Sequence, residues 1–443
     1  MISSTSLEPE ELVFIGICDL AAQIRGKSVP AIDLPQRMQH GVGYTPANLC
    51  LSPFGTIGSS PFGTRGDIVL LPDASTKVNV PIDGKAPEHF YIADIVTLEG
   101  ERWKFCPRDF LRRALARLET VTGCALLASF EQEFVYTGLP AEPKRGYALA
   151  SFREQGDFGA TLVAALRAAG MTPDAFLVEF GPRQCEITVA PAINMRAADE
   201  AVILRELTRA VARRAGHRAI FSPMLAPEGV GNGTHIHMSL RDEAGNAKMH
   251  EPDRPYGLSQ MGEHFVAGIL EHMPALAAIT TPSVCSYYRL TPNRWAPTWA
   301  NVSLQDRSAS LRVCPGSIKG SANGSANQFN VEYRVADATA CPYLALGALV
   351  HAGVDGIERH LPLPQPLDKP FASMSAVERH AAGMRPLPRT LGEAIGLLRS
   401  TPAVRDWFGA EFFELYLTCK LEEEQAVAGL APQDICDRYA AVF

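Results

Sequence analysis

Two stretches decide how this chain folds: Ser129-Phe130-Glu131-Gln132-Glu133-Phe134-Val135-Tyr136, and Gly231-Asn232-Gly233-Thr234-His235-Ile236-His237-Met238-Ser239-Leu240. In each, ionisable residues stand two apart with apolar residues between them, as Glu131/Glu133 and His235/His237. Side chains two apart share one face of a β-strand, so each stretch predicts a strand with one apolar and one chemical face. The same spacing returns at Ser310/Arg312 and at Glu332/Arg334, and Glu179 and Glu186 bracket Phe180-Gly181-Pro182-Arg183-Gln184-Cys185. A single alternating stretch describes a solvated antiparallel face. Four together, flanked by apolar residues, predict one sheet whose inner face gathers five carboxylates and a histidine. Carboxylates that close cannot all stay ionised without cations, which implies divalent metal sites, and mostly oxygen ligands favour Mg²⁺ or Mn²⁺ over zinc.

Outward from these strands, helical periodicity marks Arg108–Glu119 after Pro107, then 157–170, 197–215, 257–278, 341–358, 390–400 and 408–428. Upstream, 12–20, 67–71 and 89–98 read as strands, with a turn at Arg25-Gly26-Lys27 and a long Gly/Pro/Ser-rich loop from Gly41 to Gly66. The pattern predicts an α+β chain: a small N-terminal domain over 1–104, then a larger catalytic domain over 105–443. With 443 residues and 47% hydrophobic content, the chain can bury a large core. Its net charge of −7, with Lys and Arg scattered, gives no footprint for nucleic acid or an acidic membrane surface. The N-terminus lacks a signal-peptide pattern and no apolar run is long enough to span a bilayer, so the expected location is the cytoplasm. Ten cysteines stand singly, without a C-x-x-C pair, and read as reduced packing residues.

Arg289, Arg307, Arg312 and Arg334 lie close in sequence to the carboxylates, and guanidinium forks suit carboxylate and phosphoryl oxygens. Cations and arginines around a phosphate are the parts of phosphoryl transfer, although the chain carries no Walker-type loop. FEQEF, EFGPRQCEI, GNGTHIHMSL, YYRLTPNRWAP, QDRSASLRVCP and NVEYRVADATACPYLALGALVHAGVDGI together resemble, in family order, the signatures of glutamine synthetases. With GDIVLLPDAST they cover essentially the whole chain. The resemblance implies an N-terminal β-grasp domain, a catalytic domain whose antiparallel sheet lines the active site, and stacked rings, usually dodecamers, with sites shared between subunits. It implies ATP and Mg²⁺ (or Mn²⁺) as cofactors. By motif, Glu133, Glu179 and Glu186 would hold the metal near the acid substrate, and Glu131, His235 and Glu332 the metal bridging the ATP phosphates. His237 and Ser239 would lie near the nucleotide. Arg289 and Gly231 would meet the α-carboxylate side of glutamate, Arg334 its reacting carboxylate, and Arg307 and Arg312 the transferring phosphoryl group.

Departures from that pattern point to the acceptor. Where ammonia-using members carry a loop aspartate this chain has Thr45, and where they carry a flap glutamate it has Trp295. A desolvated ammonium ion needs anionic partners, whereas an indole offers an apolar wall. The expected reaction is therefore ATP-dependent joining of glutamate to an apolar alkyl or aromatic amine through γ-glutamyl phosphate. The alternatives are an ordinary glutamine synthetase, a polyamine-specific γ-glutamyl ligase, or an inactive ring scaffold. The asparagine expected before the Gly-rich loop is Val230, and no tyrosine stands in His360-Leu361-Pro362-Leu363-Pro364 where the family's adenylylation motif would place one.

Overall fold

The computed structural model of the protein describes residues 9–141, 146–292, 294–316, 326–366 and 371–443. A first sheet joins β1 (Leu12–Cys18), β2 (Ile24–Pro30), β3 (Val42–Tyr44), β4 (Ile68–Pro72), β5 (Val78–Val80) and β6 (Glu88–Val96). Its order is β2-β1-β6-β4-β3, with β5 also on β6; β1 and β6 run parallel and the other pairs antiparallel. This mixed sheet forms the small N-terminal unit.

The second sheet contains β7 (Ala125–Tyr136), β8 (Pro173–Val178), β9 (Gln184–Val189), β10 (Ala192–Ile193), β11 (Ala219–Ile220) and β12 (Thr234–Arg241). A two-stranded piece made by β13 (Trp299–Ala300) lies outside it, and the sheet continues with β14 (Val302–Leu304), β15 (Leu311–Cys314) and β16 (Asn330–Tyr333). The order is β14-β15-β16-β12-β7-β9-β8, with β10 and β11 also on β7. All pairs are antiparallel except β14 with β15.

Alternation in the sequence becomes two faces here. Phe130, Phe134, Ile236, Met238, Leu311, Val313, Val331 and Tyr333 are all buried. Gln132 falls on this buried side, and its amide donates to Ala201 O at 2.8 Å in the helix Met195–Arg214. That helix packs on β7, while Pro342–Glu358 packs against both Pro107–Thr122 and Gln260–Thr280. Burying the apolar side under helices leaves the other face for chemistry.

One arginine ties the first sheet to the helices behind the second. Arg108, in the first turn of the helix that begins at Pro107, is 2% exposed and meets Asp73, Asp94 and Asp199, each at 2.9 Å. Asp73 and Asp94 come from the N-terminal unit and Asp199 from Met195–Arg214. Removing one partner of such a buried set leaves uncompensated charge and costs about 3–5 kcal/mol.

The structure corrects several local expectations. Arg25-Gly26-Lys27 lie inside β2; the turn sits earlier, where Asp19 Oδ1 accepts the N–H groups of Ala21 and Gln23 at 2.9 Å each. Gly26 marks close strand approach instead, since a Cβ there would stand 1.9 Å from Ile15 O. The region Gly41 to Gly66 is not one loop: it holds β3 and a 3₁₀ turn, Pro46–Cys50. The expected helix 408–428 is Ala410–Ala426, parted from Pro402–Phe408 by Gly409 at φ 80°. Strand β8 and the helix Pro432–Val442 carried no sequence expectation. The cysteines are free, and all are buried except the half-buried Cys314 and Cys419. Among the described residues no helix is long and apolar enough to cross a membrane.

Candidate active site

Cross-strand register assembles the site. His235 stands opposite Glu131, Glu133 opposite Glu186, and Glu332 opposite both His237 and Arg312. Directly opposed residues project to the same face, so residues far apart in sequence converge. His235 Nδ1 lies 3.4 Å from Glu131 Oε2 and 3.5 Å from Glu332 Oε1. His237 Nε2 lies 3.2 Å from Glu131 Oε1, and its Nδ1 faces Asn330 Oδ1 at 2.8 Å.

Among the described residues, two groups have donor atoms mutually within 4.8 Å: Glu131, His237 and Glu332, and Glu131, Glu186 and His235. These groups differ from the two expected sets, because Glu131 enters both and His237 is a donor. Glu133 and Glu179 are held by other partners. Glu133 Oε2 accepts the Gly233 N–H at 2.6 Å, and Glu179 Oε2 accepts the Tyr147 hydroxyl at 2.5 Å and the Phe180 N–H at 3.0 Å.

The electrostatics show an anionic centre short of cations. Burial raises Glu186, and the charges of Glu131, Glu133, Glu179 and Glu332 raise it further, to about 9. Burial also acts to raise Glu131, but hydrogen bonds and charge from His235 and His237 outweigh it and hold that carboxyl well below the usual range. Burial works against protonated His237, yet contacts with Cys314 and Glu131 and the charge of Glu332 push its pKa well up. The donor set fits a hard divalent cation. It is rich in carboxylate oxygen, and the buried His237 Nε2 makes no well-formed hydrogen bond among the described residues despite its ion-pair distance to Glu131.

The arginines ring this centre unevenly. Arg312 Nη1 donates to Glu332 Oε2 at 3.0 Å, and Arg334 Nη1 donates to Glu332 Oε1. Arg334 Nε is anchored on the Arg307 carbonyl at 3.0 Å, while the Arg307 residue itself is exposed. Arg289 is buried, and its Nη2 donates to Val335 O and, at 2.8 Å, to Ala336 O. Burial pulls its pKa down, against the charges of Asp337 and Glu133. Gly231 is required beside it, since a Cβ there would stand 2.6 Å from Arg289 Cγ. Ser239 follows His237 on the same face, and its buried Oγ has no hydrogen-bond partner among the described residues.

The two expected acceptor residues lie on irregular backbone, off the strands that carry Glu131, Glu133, Glu186 and Glu332. Thr45 is exposed just past β3, in the first sheet. Trp295 is 76% exposed with φ 57°, on a segment fastened by Arg294 Nη1 to Gly229 O at 2.8 Å. Sequence reasoning missed Asn330 and Cys314, although both were legible, each being two residues from a chosen one. Cys314 Sγ lies 3.8 Å from Glu332 Oε2. Tyr147 was missed for a different reason: it lies in irregular backbone, where no periodicity could point to it.

The sheet thus presents a carboxylate- and histidine-lined face able to hold a divalent cation, with arginines beside it. Residues 104–439 match the glutamine synthetase catalytic domain and residues 1–103 the glutamine synthetase N-terminal domain. The chain belongs to the glutamine synthetase family, and it is an ATP-dependent ligase forming C–N bonds. It is 32% identical over 440 residues to the gamma-glutamylpolyamine synthetase of Streptomyces coelicolor, covering 96% of this chain and 92% of that one. It is 33% identical over 392 residues to the glutamine synthetase of Thermus thermophilus, covering 86% of each. A crystal structure of a novel glutamine synthase homolog superposes with TM-score 0.91 at 39% identity, covering 99% of this chain and 100% of that one. GmaS in complex with ADP superposes with TM-score 0.80 at 25% identity, covering 95% of each chain.

Proposed function

We propose that this ligase joins glutamate to an apolar alkyl or aromatic amine, through γ-glutamyl phosphate, releasing ADP and phosphate. The observation that carries the reading is Trp295. A tryptophan that merely filled the core would be buried, whereas this indole projects 76% into solvent. Its backbone occupies the left-handed region, uncommon for a bulky residue and a mark of functional placement. Arg294 fastens that segment to the loop running into Gly231 and Arg289.

In this reading Arg289 grips the glutamate α-carboxylate, and Arg334 meets the reacting carboxylate. Arg307 and Arg312 take the charge that builds on the transferring phosphoryl oxygens. Glu131, Glu133, Glu179, Glu186, His235 and Glu332 hold Mg²⁺ or Mn²⁺, with His237 as a further donor. Bound divalent cations would neutralise the ATP phosphates and polarise the oxygen under attack. Ser239 and His237 flank the nucleotide. Thr45, exposed on the first sheet, completes the site of a neighbouring copy in a stacked ring. The need for ATP fits the cytoplasmic location expected from the sequence.

A polyamine acceptor is the second reading. It is favoured by the similarity to the Streptomyces coelicolor gamma-glutamylpolyamine synthetase. The test is a panel of ammonia, alkylamines, arylamines and polyamines incubated with glutamate, ATP and Mg²⁺, read by mass spectrometry of the amides and by ADP release. Apolar monoamines should give the most product. Polyamine or glutamine products in excess would replace the reading with the corresponding alternative, and absence of ADP release with every amine would mark an inactive scaffold.

A further inference from the structure

We propose that Phe180 is the wall on which the hydrocarbon group of the acceptor amine rests, making it a specificity-determining residue; the proposal rests on the apolar-amine reading above. Phe180 is 66% exposed, yet its backbone is firmly held. Its N–H donates to Glu179 Oε2 at 3.0 Å, and Gly181 N–H donates to Gln184 Oε1 at 2.9 Å. Gly146 passes so near that a Cβ on it would stand 2.8 Å from Phe180 Cα, and a Cβ on Gly181 would stand 3.1 Å from Val230 Cβ. A ring mounted this way keeps its position while its faces stay open.

Phe180 also has company. Tyr147 is 65% and Val230 40% exposed, and Tyr147 reaches Glu179 through its hydroxyl. Val230 adjoins Gly229, whose carbonyl fastens the segment carrying Trp295. Exposed apolar residues scattered singly need no explanation. Here, loops separate in sequence present Tyr147, Phe180 and Val230 around Glu179, which precedes the strand pairing Glu186 with Glu133. That juxtaposition suits a molecule with one amino end and one apolar end: the amino group points toward the floor of the site and the hydrocarbon lies on Phe180 and Val230. The exposed carboxylate of Glu228 is already offset by Arg294 at 3.1 Å, so the rim suits a monoamine better than a second cation.

The experiment measures kcat/KM for a straight-chain series from methylamine to pentylamine with the full-length enzyme, glutamate and ATP. The wild type should gain roughly threefold for each added methylene, as expected when each CH₂ leaves water. Phe180→Ala should flatten that gain to near unity, Phe180→Leu should restore part of it, and the KM for glutamate should stay close to wild type in both. Size-exclusion profiles and ADP binding of the variants serve as folding and assembly controls. An unchanged slope in well-folded Phe180→Ala overturns the assignment while leaving the apolar-amine reading standing. A changed oligomeric state with an unchanged slope assigns the ring to a subunit contact and also overturns it. A wild type with no preference for longer amines overturns both.

Discussion

The floor of the site and its rim are built by different means. The floor is a set of strand residues fixed by register: Glu131 against His235, Glu133 against Glu186, and Glu332 against His237 and Arg312. The rim is carried by loops: Tyr147, Phe180, Val230 and Trp295 are all exposed, and two of them, Tyr147 and Trp295, have positive φ. A strand register cannot slip by one residue without turning every side chain to the other face, so the floor's chemistry is specified by the fold. A loop tip can change its side chain without disturbing the sheet, so selectivity can be altered there alone. In the proposed function the floor would perform phosphoryl transfer and the rim would select the amine.

The comparison breaks most visibly at Glu332. This residue is 1% exposed and meets two arginines and His235, so Glu332→Ala, like His235→Ala, should lower ligation by about 10³-fold or more. Glu332→Gln keeps the shape and separates loss of charge from loss of fold. Circular dichroism of that variant should match wild type while activity is lost. Near-normal turnover in any of these variants would remove the floor from the mechanism.

Arg307 gives the next largest effect and a cleaner test, because the residue is exposed and its replacement leaves the core alone. Lysine keeps the charge but not the fork. Arg307→Lys should reduce kcat by about 10²-fold with a smaller change in KM, as for a contact made only in the transition state. Steady-state kinetics that showed a pure KM effect would assign Arg307 to ground-state binding.

Metal affinity should depend on pH. Glu186 in the cation-free protein is raised to about 9, so at neutral pH it carries a proton that a cation must displace. Apparent Mg²⁺ or Mn²⁺ affinity should therefore rise as pH rises, by about tenfold per unit or more below about pH 9, since His237, also raised, must give up a proton to act as a donor. Calorimetric titration in buffers of differing ionisation heat would count the released protons. A flat profile would mean that Glu186 is not a ligand.

The smallest effect belongs to the rim. Trp295→Glu restores an anion where ammonia-using relatives are expected to carry one, so it should weaken apolar amines and help ammonium. The selectivity ratio should narrow by about tenfold, with the KM for ATP unmoved. A fall in all activities together would instead place Trp295 in general loop structure.

The same contrast explains what could be read before the structure was known. Period-two spacing is a local signal with a geometric meaning, so Glu131, Glu133, His235, His237, Glu332 and Arg334 were legible as one face. The helices that bury the opposite face were legible for the same reason, from Pro107–Thr122 to Pro342–Glu358. The rim has no period. Tyr147 reaches Glu179 only because irregular backbone brings it there, and Phe180 was quoted within a motif without any sign that its ring would be exposed. Register between strands is equally invisible in one sequence, and it draws Glu131 into both donor groups. The misplaced turn at Arg25-Gly26-Lys27 has a related cause. Gly26 was read as a turn residue, whereas it serves close strand approach and the Asp19 carboxylate organises the real turn.

The central claim is that the rim selects an apolar amine over ammonia, and one competition experiment tests it most directly. Wild-type enzyme with saturating glutamate, ATP and Mg²⁺ is given ammonium and the best organic amine at equal free-base concentrations, and the two amides are quantified by mass spectrometry at low conversion. The product ratio is then the ratio of kcat/KM values. Burial of an alkyl or aryl group against the indole and Phe180 should favour the organic amide by at least about 100-fold, equivalent to a few kcal/mol of apolar contact that ammonia cannot make. Glutamine formed as readily as the amide would contradict the claim and make this chain an ordinary glutamine synthetase.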